Sequence, residues 1–394
     1  MTDEKFLDKK MDRREFLKKA GIGGAGLALG LSGASAFFAN QDSSTKKALD
    51  GDEDISFFGK HQAGITTPMQ KACYLVVLDL HTTDKKEVIQ LFKDWTDYSS
   101  KLVEGELVKK DGSNALLPPT DTGETVGLNP YRLSLTFGVS ADFLKKLGLE
   151  SKRPKLFRDL PPFPKEQLQD KYTGGDIVIQ ACADDEQVAF HAVRNLIRKG
   201  RNKITMKWSK SGFAAIGDRK ETPRNTANVT TEKEFDKVVW TDSKDWMKGG
   251  SYMALRLVQM HLETWDRTNL QEQENTFGRY KESGAPFGKK DEFDEVDLSK
   301  LPVDSHVRLA KEVDLPILRR SYSYSDGIDE RTGQFDAGLI FIAFQKDPDR
   351  FVKIQTNLGA VDKMNEYITH IGSGLFACFA GVEKGGYLGQ ALFE

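Results

Sequence analysis

A unit of buried strand, acidic turn and amphipathic helix occurs twice in this chain of 394 residues. The first copy runs from residues 176–183 through Asp184 and Asp185 into a helix. The second copy runs from residues 339–345 through the acidic turn 347–349 into another helix. Acidic residues suit the free amides and the positive dipole end at the start of a helix. The repeat predicts an α+β fold of two similar domains, with antiparallel sheets and packed helices.

Further strand and helix patterns flank both copies. Strands are expected where β-branched and aromatic side chains concentrate, over residues 73–80, 133–139, 252–263 and 321–324. A helix is predicted over 85–102, where apolar side chains recur on one face. Residues 217–250 are polar and are expected to be irregular. The charged tract 289–300 is typical of a solvated loop.

The N-terminus carries the pattern of an export signal. Arg13 and Arg14 precede a weakly apolar run over 20–33, and a small-residue processing pattern follows at 34–36. Adjacent arginines in this context are typical of the twin-arginine route, which moves folded chains. An amphipathic helix or a membrane anchor is the alternative, but a spanning helix needs about 20 strongly apolar residues. We therefore expect a signal over 1–36, cleaved or weakly anchored, and a protein of the cell envelope or exterior.

The remaining chain divides by pattern into a polar tether over 37–54 and two domains, 55–215 and 216–394. Its charge is nearly balanced, with 57 Lys and Arg against 59 Asp and Glu, so nothing attracts the whole protein to nucleic acid. Three cysteines, Cys73, Cys182 and Cys378, lie in apolar segments without metal-binding spacing. They are interpreted as buried small residues rather than as a disulfide framework or zinc site.

His306 and the arginines that follow it carry the clearest chemical signal. A neutral imidazole can ligate haem iron, and a nearby guanidinium can stabilise the negative charge of a bound peroxide. His306 with Arg319 and Arg320 therefore outlines a haem peroxidase site. A hydrogen-bonded structural histidine is the alternative. The other histidines show no paired ligand spacing and are expected to be structural or exposed: His61, His81, His191, His261 and His370.

Longer motifs are spread over the mature chain. They are GKHQAGITTP at 59–68, GGDIVIQACADD at 174–185, WDRT at 265–268, FGR at 277–279, DSHVRLA at 304–310 and LRRSYS at 318–323. Together they resemble the dye-decolourising haem peroxidases, and most of all their exported deferrochelatase/peroxidase branch. This resemblance implies two ferredoxin-like domains, with haem b (iron protoporphyrin IX) held mainly by the C-terminal one.

The resemblance also assigns roles to individual residues. His306 matches the proximal iron ligand, and Arg319 matches the distal arginine. Thr226 and Ala227 match residues that lie beside the haem in the family. Arg308 could bind a haem carboxylate, and an exposed structural role is equally open for it.

Two family elements are missing. The family carries Gly-x-x-Asp-Gly after Pro-Arg-Asn, whereas here Asn225 is followed directly by Thr226. Residues 311–313, Lys-Glu-Val, stand where many relatives have Asn-Pro-Arg. The missing Asp would move the protons needed to split peroxide, a contribution of about 10²–10⁴-fold in rate. Arg319 is a poor proton shuttle, because a guanidinium does not give up its proton in a protein. The sequence thus predicts haem binding with impaired or condition-dependent peroxidase turnover.

The predicted function is an exported haem b peroxidase that recovers iron from haem and leaves the porphyrin intact. Its expected partners are haem, hydrogen peroxide, the twin-arginine translocase and an iron-uptake permease system. A haem-binding or haem-delivery protein without peroxidase activity is the alternative. A scaffold that no longer holds haem is a third. The sequence does not determine the oligomeric state.

Overall fold

A computed structural model describes residues 55–109, 114, 116–214 and 229–394. The predicted signal and tether lie outside these residues, as do Thr226, Ala227 and the point at which the Gly-x-x-Asp-Gly motif is missing. The described part of the first half consists, in chain order, of β1 (Ala72–Leu80), α1 (Lys85–Leu102), β2 (Ser134–Val139), α2 (Ala141–Lys146), β3 (Ile177–Ala183), α3 (Glu186–Gly200) and β4 (Ile204–Phe213).

The described part of the second half consists, in chain order, of α4 (Glu232–Val238), β5 (Ser251–Met260), α5 (Leu262–Arg267), α6 (Leu270–Phe277), α7 (His306–Glu312), β6 (Leu318–Arg319), β7 (Tyr322–Asp329), β8 (Gln334–Gln345), α8 (Pro348–Val361), β9 (Ile368–Cys378) and α9 (Gln390–Phe393).

The strands of the two halves join into a closed ring. Neighbouring strands follow the order β5, β9, β2, β3, β1, β4, β7 and β8, and β8 pairs back onto β5. The named pairings are antiparallel. The halves meet where Gly138 of β2 pairs with Cys378 of β9, and where Phe213 of β4 pairs with Ser323 of β7. Both junctions are short, with two residue pairs between β2 and β9 and one between β4 and β7, so the halves are joined at the ends of their edge strands.

Each face of the ring builds its own hydrophobic core. The inner core contains side chains from strands on opposite sides of the ring, among them Val77, Met253 and Ile340. The outer core lies between the strands and the helices, with Val88, Leu196 and Phe351 contributed by α1, α3 and α8. The face toward the first core is called the inner side of the ring, and the face toward the helices is called the outer side.

The predicted α+β class and the repeated strand–helix unit are confirmed. Asp185 and Asp347 accept hydrogen bonds from helical amides at the starts of α3 and α8, as the acidic turns predicted. The expectation of an irregular segment over 217–250 is wrong where α4 forms. Thr231 and Glu234 make a reciprocal capping box there, which stabilises a short polar helix. The domain boundary at 215–216 stays a prediction. Among the described residues, no helix is long and apolar enough to cross a bilayer.

Candidate functional site

His306 is the first residue of α7, and its imidazole is held by a buried carboxylate. Its Nδ1 lies 2.7 Å from Oδ2 of Asp362, a residue that is only 3% exposed. Asp362 stands just after the last residue of α8, and its Oδ1 accepts a hydrogen bond from the Met364 amide at 2.9 Å. With Nδ1 donating to the carboxylate, the lone pair of the neutral imidazole is on Nε2. This is the arrangement typical of metal-ligating histidines.

The backbone around His306 is tied to α8 and α6. The Lys363 amide donates to the Asp304 carbonyl at 3.0 Å, and Asn357 Nδ2 donates to the Leu309 carbonyl at 2.7 Å. Gly278 ends α6 with φ of +80°, and a Cβ there would lie 3.0 Å from Oγ of Ser305. Glycine is therefore needed both for the left-handed turn and for the close approach to α7.

The imidazole could hold haem iron as a single protein ligand. Its side chain is 27% exposed, and Nε2 makes no hydrogen bond to any residue that the structure describes. The Phe277 ring meets it edge-on, with ring centroids 6.5 Å apart. Within the described ranges, no group of three or more His, Cys, Asp or Glu is placed to hold a metal ion. One histidine is sufficient as the protein ligand when the iron belongs to a haem, because the porphyrin supplies four nitrogen ligands.

Arg319 lies on the outer side of the ring. It pairs with Ala343 across β6 and β8, and Ala343 packs in the outer core, whereas Leu318 packs in the inner core. Side chains alternate along a strand, so Arg319 projects to the side that also carries α8 and, at its end, Asp362. The structure thus places the predicted distal arginine and the predicted iron ligand on one side of the sheet.

Arg320 faces the other way and is bound inside the protein. It is 4% exposed and donates hydrogen bonds to the carbonyl of Thr67 and to Oε1 of Gln70. The two adjacent arginines therefore have different surroundings. Arg319 is the one on the side of His306.

Arg308 is engaged within its own region of the fold. Its Nε donates to Glu312 at 2.8 Å, and its Nη1 donates to the carbonyls of Leu298 and Leu301 at 3.3 and 3.0 Å. Residues two apart on a helix do not share a face, so Arg308 points away from His306. These contacts favour its structural role, and its role at a haem carboxylate stays a prediction.

Asp362 and Arg256 were not identified from the sequence, and His370 was expected to be structural or exposed. Arg256, on β5, is 1% exposed, forms an ion pair with Glu166 and donates to Oγ of Ser373 at 2.7 Å. Burial lowers the pKa of His370 to about 3, with help from the charge of Arg256. His370 is therefore a neutral imidazole beside the site. The available signal for Arg256 was an arginine within the apolar run 252–258. Asp362 had no such signal, because it lies far from His306 along the chain.

The other histidines have local partners. Their contacts are His61 with the Gly249 carbonyl and the Trp240 ring, His81 with Thr205, His191 with Glu124, and His261 with Thr369. These contacts agree with the structural roles expected for them.

Replacing Asp362 with asparagine should lower haem affinity by about 10–100-fold, because the carboxylate both orients the imidazole and increases its basicity. Asparagine keeps an oxygen for the Met364 amide, so the fold should survive. Haem titration followed by absorbance would measure the affinity, and thermal unfolding of the haem-free protein would check the fold. Asp304→Asn is the matched control, since it removes a nearby carboxylate that acts on the charge of Lys363 rather than on the imidazole. Equal affinity in the two variants would contradict the role of Asp362.

Comparisons with known proteins place this geometry in a family. The family model described as Dyp-type peroxidase, N-terminal, matches residues 62–214, and the one described as Dyp-type peroxidase, C-terminal, matches residues 224–383. A deferrochelatase of Escherichia coli O157:H7 is 36% identical over 415 aligned residues, which cover 97% of each chain. A deferrochelatase of Yersinia pseudotuberculosis is 36% identical and covers 86% of this chain and 84% of its own.

Solved structures give the same result. Ferric DtpA from Streptomyces lividans is 34% identical and superposes with a TM-score of 0.79, covering 87% of this chain and 97% of its own. A DyP-type peroxidase from Cellulomonas bogoriensis is 31% identical with a TM-score of 0.78, covering 87% of this chain and 99% of its own. Matches over both halves, and relatives aligned over nearly their full length, lead to one conclusion. The chain belongs to the Dyp-type peroxidases, a family of two-domain ferredoxin-like enzymes that use haem b.

Proposed function

We propose that this chain is an exported haem b peroxidase and deferrochelatase, which recovers iron from haem and leaves the porphyrin ring intact. The observation that carries the proposal is the hydrogen bond from His306 to the buried carboxylate of Asp362, which prepares Nε2 as an iron ligand. The deferrochelatase relatives, 36% identical over most of their length, support haem as the substrate.

The site's own residues divide the work. Haem iron, when bound, supplies the redox chemistry with hydrogen peroxide. His306 would hold the iron, and Asp362 would keep the imidazole in the tautomer that can ligate. Arg319 would present a fixed positive charge from the sheet. Thr226 and Ala227 remain predicted haem contacts from the sequence.

Proton supply distinguishes this chain from the family pattern. Splitting peroxide needs a proton delivered to the leaving oxygen, and releasing iron needs two protons to replace it on the pyrrole nitrogens. The guanidinium of Arg319 is a poor donor for either step. Because the Gly-x-x-Asp-Gly motif is missing from the sequence, we propose that peroxidase turnover is slow.

An iron-release assay tests the proposal directly. The haem-loaded protein would be incubated with a reductant and an iron chelator, and both iron and metal-free porphyrin would be quantified. Equal amounts of the two products are expected, with less in Asp362→Asn. An opened porphyrin ring would contradict the proposed product. Intact haem that passes to an acceptor protein, with neither product formed, would establish the haem-delivery alternative.

Export by the twin-arginine translocase is a separate part of the proposal. It rests on Arg13, Arg14 and the glycine-rich run that follows. Changing both arginines to lysine should keep the charge yet retain the protein in the cytoplasm, as measured by cell fractionation and immunoblotting. Unchanged export of this double variant would refute the route. An iron-uptake permease system is the proposed recipient of the released iron.

A further inference from the structure

Two of the three cysteines meet inside the strand ring. Cys73 of β1 and Cys182 of β3 stand directly opposite each other in the antiparallel register. Opposed residues in such a pair have Cα atoms about 4.5–5.5 Å apart. A disulfide spans Cα distances of about 4.4–6.8 Å, so the backbone already allows the bond. Both residues are free thiols of the inner core, at most 1% exposed.

Two polar side chains from β7 and the segment before it flank this pair. Arg320 and Tyr322 lie beside the sulfur of Cys182. They are 4% and 0% exposed, yet Nε of Arg320 and the hydroxyl of Tyr322 have no hydrogen-bond partner of good geometry among the described residues. Buried donors are nearly always satisfied, so two unsatisfied donors beside one sulfur require a reason. A negatively charged sulfur is a partner that both donors could serve.

The two thiols differ in acidity. Burial raises the pKa of Cys182, but the hydrogen bond from Cys73 and the charge of Arg320 outweigh it and lower the pKa below its usual range. Burial and the neighbouring Cys182 raise the pKa of Cys73. The thiolate is the nucleophilic form of cysteine, so Cys182 is suited to attack and Cys73 to follow.

The pair lies close to the rim of the ring. Cys73 is the second residue of β1, and Cys182 is the last but one of β3. Lys71, just before β1, is exposed to solvent. A molecule as small as hydrogen peroxide therefore has only a short distance to cover from the surface.

We propose that Cys73 and Cys182 are a peroxide-sensitive dithiol that closes to a cross-strand disulfide, with Cys182 as the attacking sulfur. The Cys182 thiolate attacks one peroxide oxygen, an S–O bond forms, the O–O bond breaks, and the leaving hydroxide is protonated to water. The Cys73 sulfur then attacks the sulfur of Cys182, and the hydroxyl leaves as a second water with the proton from Cys73. The two thiols lose two electrons in total, and one hydrogen peroxide becomes two waters.

Cys378 provides a control within the same chain. It is equally buried, on β9, where it faces Gly138 of β2 rather than another cysteine. Burial alone raises the pKa of its thiol. It has a similar depth in the protein, but among the residues that the structure describes it has neither a thiol partner nor a neighbouring cation to activate it.

Peroxide treatment followed by thiol counting tests the proposal. The full chain, haem-free and haem-loaded, would be exposed to equimolar hydrogen peroxide, quenched with catalase, unfolded and alkylated. Mass spectrometry of the intact chain and of its peptides should find one alkylated cysteine instead of three, and a disulfide-linked peptide pair containing Cys73 and Cys182. The result should be the same with and without haem, because the thiolate itself attacks the peroxide.

Alanine variants, which preserve a small apolar side chain, separate the roles. Cys378→Ala should still form the disulfide at the wild-type rate. Cys182→Ala should keep both remaining thiols, whereas Cys73→Ala should stop at the sulfenic acid, which dimedone would trap on Cys182. Three alkylated thiols in the treated wild type would overturn the proposal, as would oxidation that requires bound haem. Since the wild-type readout is sufficient, failure of one variant to fold would not block the test.

Discussion

Inserting Gly-Phe-Lys-Asp-Gly between Asn225 and Thr226 should raise peroxidase turnover by about 10²–10⁴-fold, the usual contribution of a positioned acid–base group. The flanking Pro-Arg-Asn and Thr-Ala-Asn residues of the family motif are already present in this chain. The inserted carboxyl could take a proton from one oxygen of the peroxide and return it to the oxygen that leaves. Arg319 would continue to supply positive charge. The measurement is steady-state oxidation of a dye by hydrogen peroxide, with haem content matched between proteins.

The matched control for this experiment is the same insertion with Asn in place of Asp. It restores the length and the glycines of the loop but cannot exchange the proton. If the Asp and Asn insertions were equally active, the gain would come from loop geometry, and the proton-transfer argument would be wrong. If neither insertion raised turnover, the natural site would operate by another route.

Replacing His306 with alanine should remove stable haem binding. The loss should exceed the roughly 10–100-fold expected when only the outer hydrogen-bond partner of a metal ligand is lost, because here the iron–nitrogen bond itself disappears. Absorbance titration with haem would show the change, and added imidazole should partly restore the spectrum by entering the space left by the side chain. His81→Ala, which removes a histidine bonded to Thr205 at the surface, should leave haem affinity unchanged. Haem affinity that stayed at the wild-type level in His306→Ala would show that another residue ligates the iron.

The local features of the fold could be predicted from the sequence. The acidic turns before α3 and α8 predicted helix starts because capping depends on a few neighbouring residues. Helix α4 was missed because its capping box stabilises a segment with little apolar periodicity. Ring closure was not predicted, since it depends on pairings between residues that are far apart along the chain, such as Gly138 with Cys378.

For the candidate site, as for the fold, local motifs could be predicted from the sequence and contacts between distant residues could not. His306 and Arg319 belong to a recognisable motif, and both lie toward the outer side of the ring. Asp362 could not be found from the sequence, because no spacing rule connects the end of one helix with the start of another. Arg256 and His370 gain their properties from burial and from each other, and burial is a result of the complete fold.

The closed ring also constrains how the protein is made. β9 pairs with the last two residues of β2, so the ring cannot close until the chain has been made at least as far as β9. Until then the last residues of β2 have no strand partner on that side, and exposed strand edges invite aggregation. Pairings between distant parts of a chain also slow folding. Nascent chains of this protein should therefore depend on chaperones late in synthesis, and truncation before β9 should yield aggregates rather than a folded N-terminal half.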